Sequence, residues 1–256
     1  MPPPLPPAFL GAPIAHRAFH DHAAGRPENS RAAIAAAIDH GFGIEIDLQL
    51  SSDGVAMVFH DEALARLTGQ EGLLGDLPAG RLATLPLLGG DEGIPTFAEV
   101  LALVAGRAAL LVELKDQTGS MAPADGRLEA AAAAALDGYE GPVAVMSFNP
   151  HSIARLAGLA PHLPRGLTTS AWDAGDWAPL PPARCDELRA IPDYTRCGAA
   201  FVSHEASDLA RPRIADLKSA GAAILCWTIT SQAEEDRARR IADNITFEGY
   251  TPAPRA

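Results

Sequence analysis

Two histidines and two acidic residues in the first quarter of the chain could together carry out metal-assisted proton transfer. They occur in three short motifs, His16-Arg17, Glu45-Ile46-Asp47 and His60-Asp61. Each motif ends an apolar run that predicts a β-strand. Because side chains two residues apart on a strand point to the same face, Glu45 and Asp47 can hold one cation together. Histidines at the ends of neighbouring strands would then flank that cation as acid and base.

A third carboxylate, Glu113, interrupts the apolar run at 110–115. A lone buried carboxylate is unfavourable, so Glu113 should either bind a cation or pair with a base. Three oxygen donors favour Mg²⁺ or Ca²⁺ over Zn²⁺. The alternative interpretation is that the carboxylates form salt bridges with Arg17 and Lys115. Beside a metal, these two bases would also contact an anion, and the set indicates a phosphoryl group as substrate.

The elements that must position these residues alternate between strand and helix along almost the whole chain. Strands are predicted at 13–16, 43–50, 55–60, 109–115, 142–148, 165–170, 199–204, 223–229 and 244–250. Helices are predicted at 30–40, 96–105, 127–139, 152–159, 183–189, 212–220 and 233–241. This alternation predicts parallel strands joined by helices, and about eight such units fit a TIM (β/α)₈ barrel.

Two further features bear on the architecture. The strand at 55–60 follows a Ser-Ser-Asp-Gly turn, which predicts a hairpin. An open doubly wound sheet is the alternative fold, but no dinucleotide-type glycine motif follows the first strand. We expect one domain over residues 1–256, with a Gly-rich insertion loop at about 61–95 after the second strand.

Polar residues recur at the carboxyl ends of the predicted strands, which form the catalytic face of such a barrel. They are His16, Glu45, Asp47, His60, Glu113, Lys115, Asn149, Ser170, His204, Trp227 and Glu248. Scattered surface polarity would not select one end of the strands so consistently. The pattern therefore supports the barrel and locates its active face.

Composition limits the classes of partner. A net charge of −12 argues against sequence-independent binding of nucleic acid or of an anionic membrane surface. Three cysteines without close pairing favour reduced thiols over a disulfide framework. Met1–Leu10 lacks the regions of a secretory signal, and no apolar run is long enough to span a bilayer. We therefore expect a cytoplasmic protein without stable membrane insertion.

The ordered motifs resemble those of the glycerophosphodiester phosphodiesterase family. The three opening motifs are joined by Pro27-Glu28-Asn29-Ser30, Asp53-Gly54, Val58-Phe59-His60-Asp61, Ile94–Leu101, Val112–Lys115, Ser147-Phe148-Asn149 and Cys226–Ile229. The set appears in family order from residue 14 to about 230. The resemblance implies a TIM barrel that hydrolyses a glycerophosphodiester to glycerol 3-phosphate and an alcohol.

The resemblance also implies roles for individual residues. Glu45, Asp47 and Glu113 would hold one divalent cation, either Mg²⁺ or Ca²⁺, both of which the family uses. His16 and His60 would be the acid–base pair. In the implied mechanism, a glycerol hydroxyl attacks phosphorus and expels the alcohol, and water then opens the cyclic phosphate.

Four more residues complete the implied substrate site. Arg17 and Lys115 would bind the phosphate. Phe148 and Trp227 would form an apolar wall for the glycerol or for the alcohol headgroup, with simple packing at the barrel end as the alternative.

The chain departs from the family pattern at two places. Ala18 stands where the family usually has Gly, so the backbone there must tolerate a Cβ. Glu248, in the segment 247–252, stands in place of the usual Thr-Asp-x-Pro ending, which concerns the rim near the last strand. His20-Asp21-His22 is either a second metal site, another substrate contact or a solvated polar loop.

Two other functions are compatible with these residues. One is a lysophospholipase D-like activity on lipid substrates, although the segment at 61–95 has few basic residues with which to contact a membrane. The other is a catalytically idle barrel that binds a phosphorylated metabolite. An idle barrel would be expected to lose a histidine or a metal-binding carboxylate, and all five residues are present.

Overall fold

A computed structural model describes residues 3–253, and its β-strands fall in the nine predicted segments. The strands are β1 Ile14–Ala15, β2 Gly43–Leu50, β3 Ala56–Val58, β4 Leu110–Leu114, β5 Val143–Ser147, β6 Arg165–Thr169, β7 Phe201–Glu205, β8 Ala223–Ile229 and β9 Asn244–Phe247. The predicted domain bounds at residues 1 and 256 lie outside the described residues.

Eight of these strands are parallel and close into a barrel. Their order is β1, β2, β4, β5, β6, β7, β8 and β9, and β1 pairs with both β2 and β9 to complete the circle. The predicted hairpin is also confirmed, because β3 runs antiparallel to β2 with Leu48 opposite Val58. The predicted TIM barrel is therefore confirmed, and the doubly wound alternative is wrong.

Helices connect the parallel strands on the outside of the barrel. They are α1 Arg31–Asp39, α2 Ala65–Thr68, α3 Ala79–Leu82, α4 Phe97–Val104, α5 Arg127–Leu136, α6 Pro150–Leu159, α7 Pro182–Arg189, α8 Pro212–Ser219 and α9 Gln232–Ala238. The start of α4 is a capping box, in which Thr96 and Glu99 satisfy each other's backbone N–H groups. Within residues 3–253, no helix combines the length and apolarity needed to cross a bilayer.

The segment predicted as an irregular loop at 61–95 has more structure than expected. It contains α2 and α3, and its leucines pack with Met57 and Phe59 of the hairpin into a separate apolar cluster. Helices of four residues are too short to show a 3.6-residue period, which explains why the sequence pattern missed them. The segment is thus held against the barrel through the hairpin.

Alternation along the strands decides which side chains enter the barrel. The interior cluster contains Leu111 of β4 and Met146 of β5, whereas Leu110 and Val112 face the helices. Glu113 is two residues beyond Leu111 and so points inward, one step closer to the carboxyl ends of the strands. Side-chain alternation therefore places polar groups inside the barrel, next to the apolar interior cluster and on its side toward the carboxyl ends of the strands.

Candidate active site

Three buried carboxylates lie together at the carboxyl ends of β2 and β4. In the sheet register Asp47 is opposite Glu113, and Glu45 is opposite Leu111. One oxygen from each of Glu45, Asp47 and Glu113 lies within 4.8 Å of the others. The residues are only 2%, 2% and 6% exposed, respectively. The sequence prediction that these three side chains converge is confirmed.

Two bases partly neutralise this cluster. Lys115 Nζ lies 2.7 Å from Glu113 Oε1 and 3.4 Å from Asp47 Oδ1. Arg17 Nε is 3.7 Å from Asp47 Oδ2 and is buried without a hydrogen-bond partner among residues 3–253. The alternative interpretation, salt bridges to Arg17 and Lys115, is therefore also present in the geometry.

The pKa shifts show which of the three carboxylates the two bases stabilise in its charged form and which they do not. Burial and the neighbouring charges of Asp47 and Glu113 raise the pKa of Glu45 well above its usual range. Burial has the same tendency at Asp47, but Lys115, His60 and Arg17 outweigh it, so the pKa of Asp47 is lowered. Two bases for three buried carboxylates leave room for added positive charge. A divalent cation fits this oxygen-only donor set.

A left-handed turn after β1 supports the cluster from one side. Arg17 and Ala18 have φ values of 49° and 66°. In this conformation Arg17 N donates to Glu45 Oε2 at 2.8 Å, and Ala18 N donates to the backbone oxygen of Glu45 at 2.9 Å. The positive φ explains why glycine suits position 18, and the Cβ of Ala18 is accommodated there. Asn29, also left-handed, donates from Nδ2 to Asp47 Oδ2 at 3.0 Å.

His16 is held by a carboxylate from the opposite end of the chain. Its Nδ1 lies 2.6 Å from Glu248 Oε2, just beyond β9. The hydrogen bond from His16 and the nearby imidazole of His20 lower the pKa of Glu248. Glu248 therefore remains charged, and it orients the His16 ring so that Nε2 is free for proton transfer.

His60 has an equivalent partner next to it in the sequence. Its Nδ1 lies 2.7 Å from Asp61 Oδ1. Although burial opposes its charge, hydrogen bonds from Arg66 and His60 lower the pKa of Asp61 to about 2. Burial lowers the pKa of His60 itself, and Asp47 and Asp61 only partly offset this effect. His60 therefore tends to stay neutral.

Glu28 connects the two sides of the site. Its carboxylate accepts from Arg17 Nη1 at 2.9 Å and from both terminal nitrogens of Arg66 at 2.8 Å. Arg66 in turn donates to both oxygens of Asp61. The Pro27–Ser30 motif, which the sequence analysis named for its family resemblance, thus supplies Ser30 as the α1 cap and Glu28 and Asn29 as supports for the site.

A cavity of about 680 Å³ opens beside the carboxylates. Its lining includes the polar residues His60, Glu113 and Lys115 and the aromatic residues Phe148, Trp177 and Trp227. We call these last three residues the aromatic wall. Phe148 and Trp227, which the sequence nominated, are both in the wall, and their ring centroids are 5.4 Å apart.

Two members of this aromatic cluster were missed at the sequence level. Trp177 lies 5.0 Å from Phe148, and the buried Trp172 lies behind it, 4.1 Å from Trp177. Both belong to the connection between β6 and α7, where no motif marks them. The only indication in the sequence that these residues belong to the site was the occurrence of two tryptophans in a segment without a predicted helix or strand.

Other polar residues suggested by the sequence have different positions. His204 is fully buried, contacts Thr169 and Asp208, and does not line the cavity. Of His20-Asp21-His22, only His20 approaches the site, with Nε2 3.6 Å from Glu248 Oε2. Asp21 instead caps a short 3-10 helix, and His22 is exposed.

Together, the closed parallel barrel and the acidic centre flanked by two oriented histidines define the class of this protein. It is a TIM barrel with a candidate acid–base and metal site at the carboxyl ends of its strands. The family model of glycerophosphoryl diester phosphodiesterases matches residues 16–243. The chain therefore belongs to this family.

Individual relatives agree with this assignment. A glycerophosphodiester phosphodiesterase of Caldanaerobacter subterraneus is 34% identical over 161 residues, which cover 60% of this chain and 65% of the relative. Human glycerophosphodiester phosphodiesterase 1 is 36% identical over 99 residues, covering 35% of this chain and 29% of the relative. The chain thus spans less than two thirds of the length of these curated relatives.

A solved structure matches over most of both chains. It is that of an Oleispira antarctica phosphodiesterase in complex with the product sn-glycerol-3-phosphate. The TM-score is 0.77, with 26% sequence identity and coverage of 94% of each chain. The fold around the candidate site is therefore shared with a phosphodiesterase that binds its product.

Proposed function

We propose that this protein hydrolyses glycerophosphodiesters to glycerol 3-phosphate and an alcohol, with one divalent cation, Mg²⁺ or Ca²⁺. The observation that carries the proposal is the pair of carboxylate-bound histidines, His16 and His60, on the same barrel face as the carboxylate cluster. Family membership and the product-bound Oleispira antarctica structure support the same reaction.

Glu45, Asp47 and Glu113 would hold the cation. A bound cation would offset charge on the phosphorane-like transition state and lower the pKa of an attacking hydroxyl. The protein's own contribution is to hold these oxygens in place through the backbone N–H of Arg17 and the side chain of Asn29. Such support keeps the carboxylates aimed at one point before substrate arrives.

The two histidines would handle the protons of both steps. In the first step, a glycerol hydroxyl forms a bond to phosphorus and gives its proton to the free Nε2 of one histidine. The bond to the alcohol oxygen breaks, and the other histidine gives that oxygen a proton. In the second step, water forms a bond to phosphorus and gives a proton to the histidine that protonated the alcohol. The bond from phosphorus to the glycerol oxygen that had attacked breaks, and the other histidine returns its proton to that oxygen, which gives glycerol 3-phosphate and regenerates both histidines.

Arg17 and Lys115 would bind the phosphate. Both already contact the carboxylates, so their positive charge is held at the rim of the cluster rather than spread in solvent. Phe148 and Trp227 would contact the organic part of the substrate. The three free cysteines support a cytoplasmic location. The family match over residues 16–243 and the packing of the segment at about 61–95 against the hairpin support a single glycerophosphodiester phosphodiesterase-like domain with an insertion there.

One assay tests this proposal against its two alternatives. Choline release is measured from glycerophosphocholine and from lysophosphatidylcholine, with Mg²⁺ or Ca²⁺ and with EDTA, for wild type, His16→Ala and Glu45→Ala. We expect activity on the soluble diester that EDTA and both substitutions abolish. Preferential cleavage of lysophosphatidylcholine would instead support the lipid enzyme, and absence of turnover on either would support the idle barrel.

A further inference from the structure

All three tryptophans of the chain meet around one side chain beside the candidate site. Trp172, Trp177 and Trp227 have ring centroids 5.7, 5.0 and 5.4 Å from that of Phe148, respectively. Two of these tryptophans line the cavity together with Phe148. Chance would not be expected to collect every tryptophan of a 256-residue chain at this one place.

The surface next to the aromatic wall is poor in partners for hydroxyl groups. Ala178, Pro179, Leu180 and Met121 extend it, and the indole N–H of Trp227 is already donated to Ser203 O at 3.1 Å. Asp116 also lines the cavity, but its oxygens accept from Thr118, Ser120, Met121 and Asn149. A polyol whose hydroxyl groups lay against the rings and these apolar residues would lose hydrogen bonds to water there, although a hydroxyl that reached Glu62 or Asp176 could donate to a carboxylate.

Away from Lys115, which the proposed function assigns to the phosphate, the charge of the same cavity is unfavourable for an anionic headgroup. Glu62 and Asp176 line it, and neither forms an ion pair with a base in the part of the chain that the structure describes. Lys115 is the one lysine or arginine among the described lining residues, and Glu113 and Asp47 occupy its ammonium group. Faces of electron-rich rings beside unpaired carboxylates are suited to a desolvated organic cation.

We infer that this cavity is a headgroup site that selects alcohols bearing a trimethylammonium group, as choline does, over neutral polyols and anionic alcohols. The inference depends on the proposed function, because the cavity begins at His60, Lys115 and Glu113. A phosphodiester held there extends its alcohol arm toward the aromatic wall, where methyl groups contact the rings and the positive charge is near Asp176 and Glu62.

Direct binding tests this inference without catalysis. Because every tryptophan lies in or behind the wall, tryptophan fluorescence excited selectively over the three tyrosines reports on the wall and on the residues packed behind it. The full-length protein is titrated with choline and with 3,3-dimethyl-1-butanol, the uncharged carbon isostere of choline. We expect a saturable change with choline and binding of the isostere that is weaker by about threefold to thirtyfold. No saturable change with choline, or equal binding of the two, would overturn the inference.

A substrate series tests the consequence for catalysis. Glycerol 3-phosphate release is compared for glycerophosphocholine, its 3,3-dimethylbutyl isostere and glycerophosphoglycerol. We expect kcat/KM to favour the choline ester over the isostere by the same factor of about three to thirty. Hydrolysis of all three at equal kcat/KM would refute the headgroup site but leave the proposed function intact. Hydrolysis of none would refute the proposed function, and fluorescence would still decide the headgroup site.

Three variants separate the contribution of the aromatic ring from that of the carboxylate charge. Trp177→Leu should remove most of the preference for the choline ester, whereas Trp177→Phe, which keeps an aromatic face, should retain it. Asp176 is exposed, so Asp176→Asn should fold normally and lower the preference severalfold with little change toward the isostere. If Trp177→Leu and Asp176→Asn both kept the wild-type preference, the assignment would be wrong.

Discussion

His16 and Glu248 are 232 positions apart in the sequence, yet His16 Nδ1 and Glu248 Oε2 are 2.6 Å apart in the barrel. The contact exists because β1 pairs directly with β9, which joins the first and last strands. Glu248 thus orients the imidazole ring of His16 in the way that Asp61 orients the ring of His60. Closure of the barrel thus completes one half of the proposed acid–base pair.

Replacing Glu248 should weaken catalysis without unfolding the protein. Positioned proton transfer contributes about 10²–10⁴-fold to rate, so we expect His16→Ala to lose that factor and Glu248→Gln to lose a part of it, about tenfold or more. Steady-state kcat with glycerophosphocholine measures both. Glu71→Gln, at an exposed glutamate, is the control and should behave as wild type. Full activity of Glu248→Gln would show that His16 needs no such partner.

Replacing Asp61 should move the pH profile in a defined direction. Burial lowers the pKa of His60, and the hydrogen bond to Asp61 raises it again. Asp61→Asn removes that negative charge, so the imidazolium form is less stable and the pKa of His60 falls further. The limb of the kcat/KM profile that reports His60, acidic if it is the base of the first step and basic if it is the acid, should therefore shift to lower pH, with Asp91→Asn at an exposed aspartate as control. A shift to higher pH would contradict the assigned contact.

Cation binding should be visible in thermal stability. The pKa of Glu45 is raised because burial and two neighbouring carboxylates oppose its charge. At a hundredfold excess over its Kd, a cation would stabilise the folded protein by about 2.7 kcal/mol, or raise Tm by about 5–10 °C. Glu45→Gln should abolish this rise while leaving Tm without cation equal to or above that of wild type. An equal rise in wild type and Glu45→Gln would place the cation elsewhere.

The cysteines should be unreactive in the folded protein. Burial raises the pKa of Cys197 to about 11 and that of Cys226 to about 12, and Cys185 is also buried. Since the thiolate is the reactive form, almost no thiolate of Cys197 or Cys226 exists at pH 8. A thiol reagent such as DTNB should therefore detect no fast-reacting group in the native state and three in denaturant. Rapid native reaction of any one cysteine would contradict its burial.

Local patterns in the sequence were sufficient for the strands and for the chemistry at their ends. Alternating apolar segments predicted all nine strands, and the spacing of Glu45 and Asp47 placed both carboxylates on one face. Asp61 is adjacent to His60 in the sequence, so their contact needs no long-range pairing, although the sequence analysis did not assign it. These features depend on side-chain periodicity and on contacts between near neighbours, both of which a linear pattern retains.

Only the tertiary structure decided which distant residues meet. Glu248 was noted as a departure from the family ending, but its hydrogen bond to His16 follows from the pairing of β1 with β9. Trp172 and Trp177 come from a connection with no periodic pattern, and they join Phe148 and Trp227 because β5, β6 and β8 bring their ends to the same face of the barrel. Long-range contacts of this kind depend on the closure and register of the whole sheet, which no local stretch of sequence specifies.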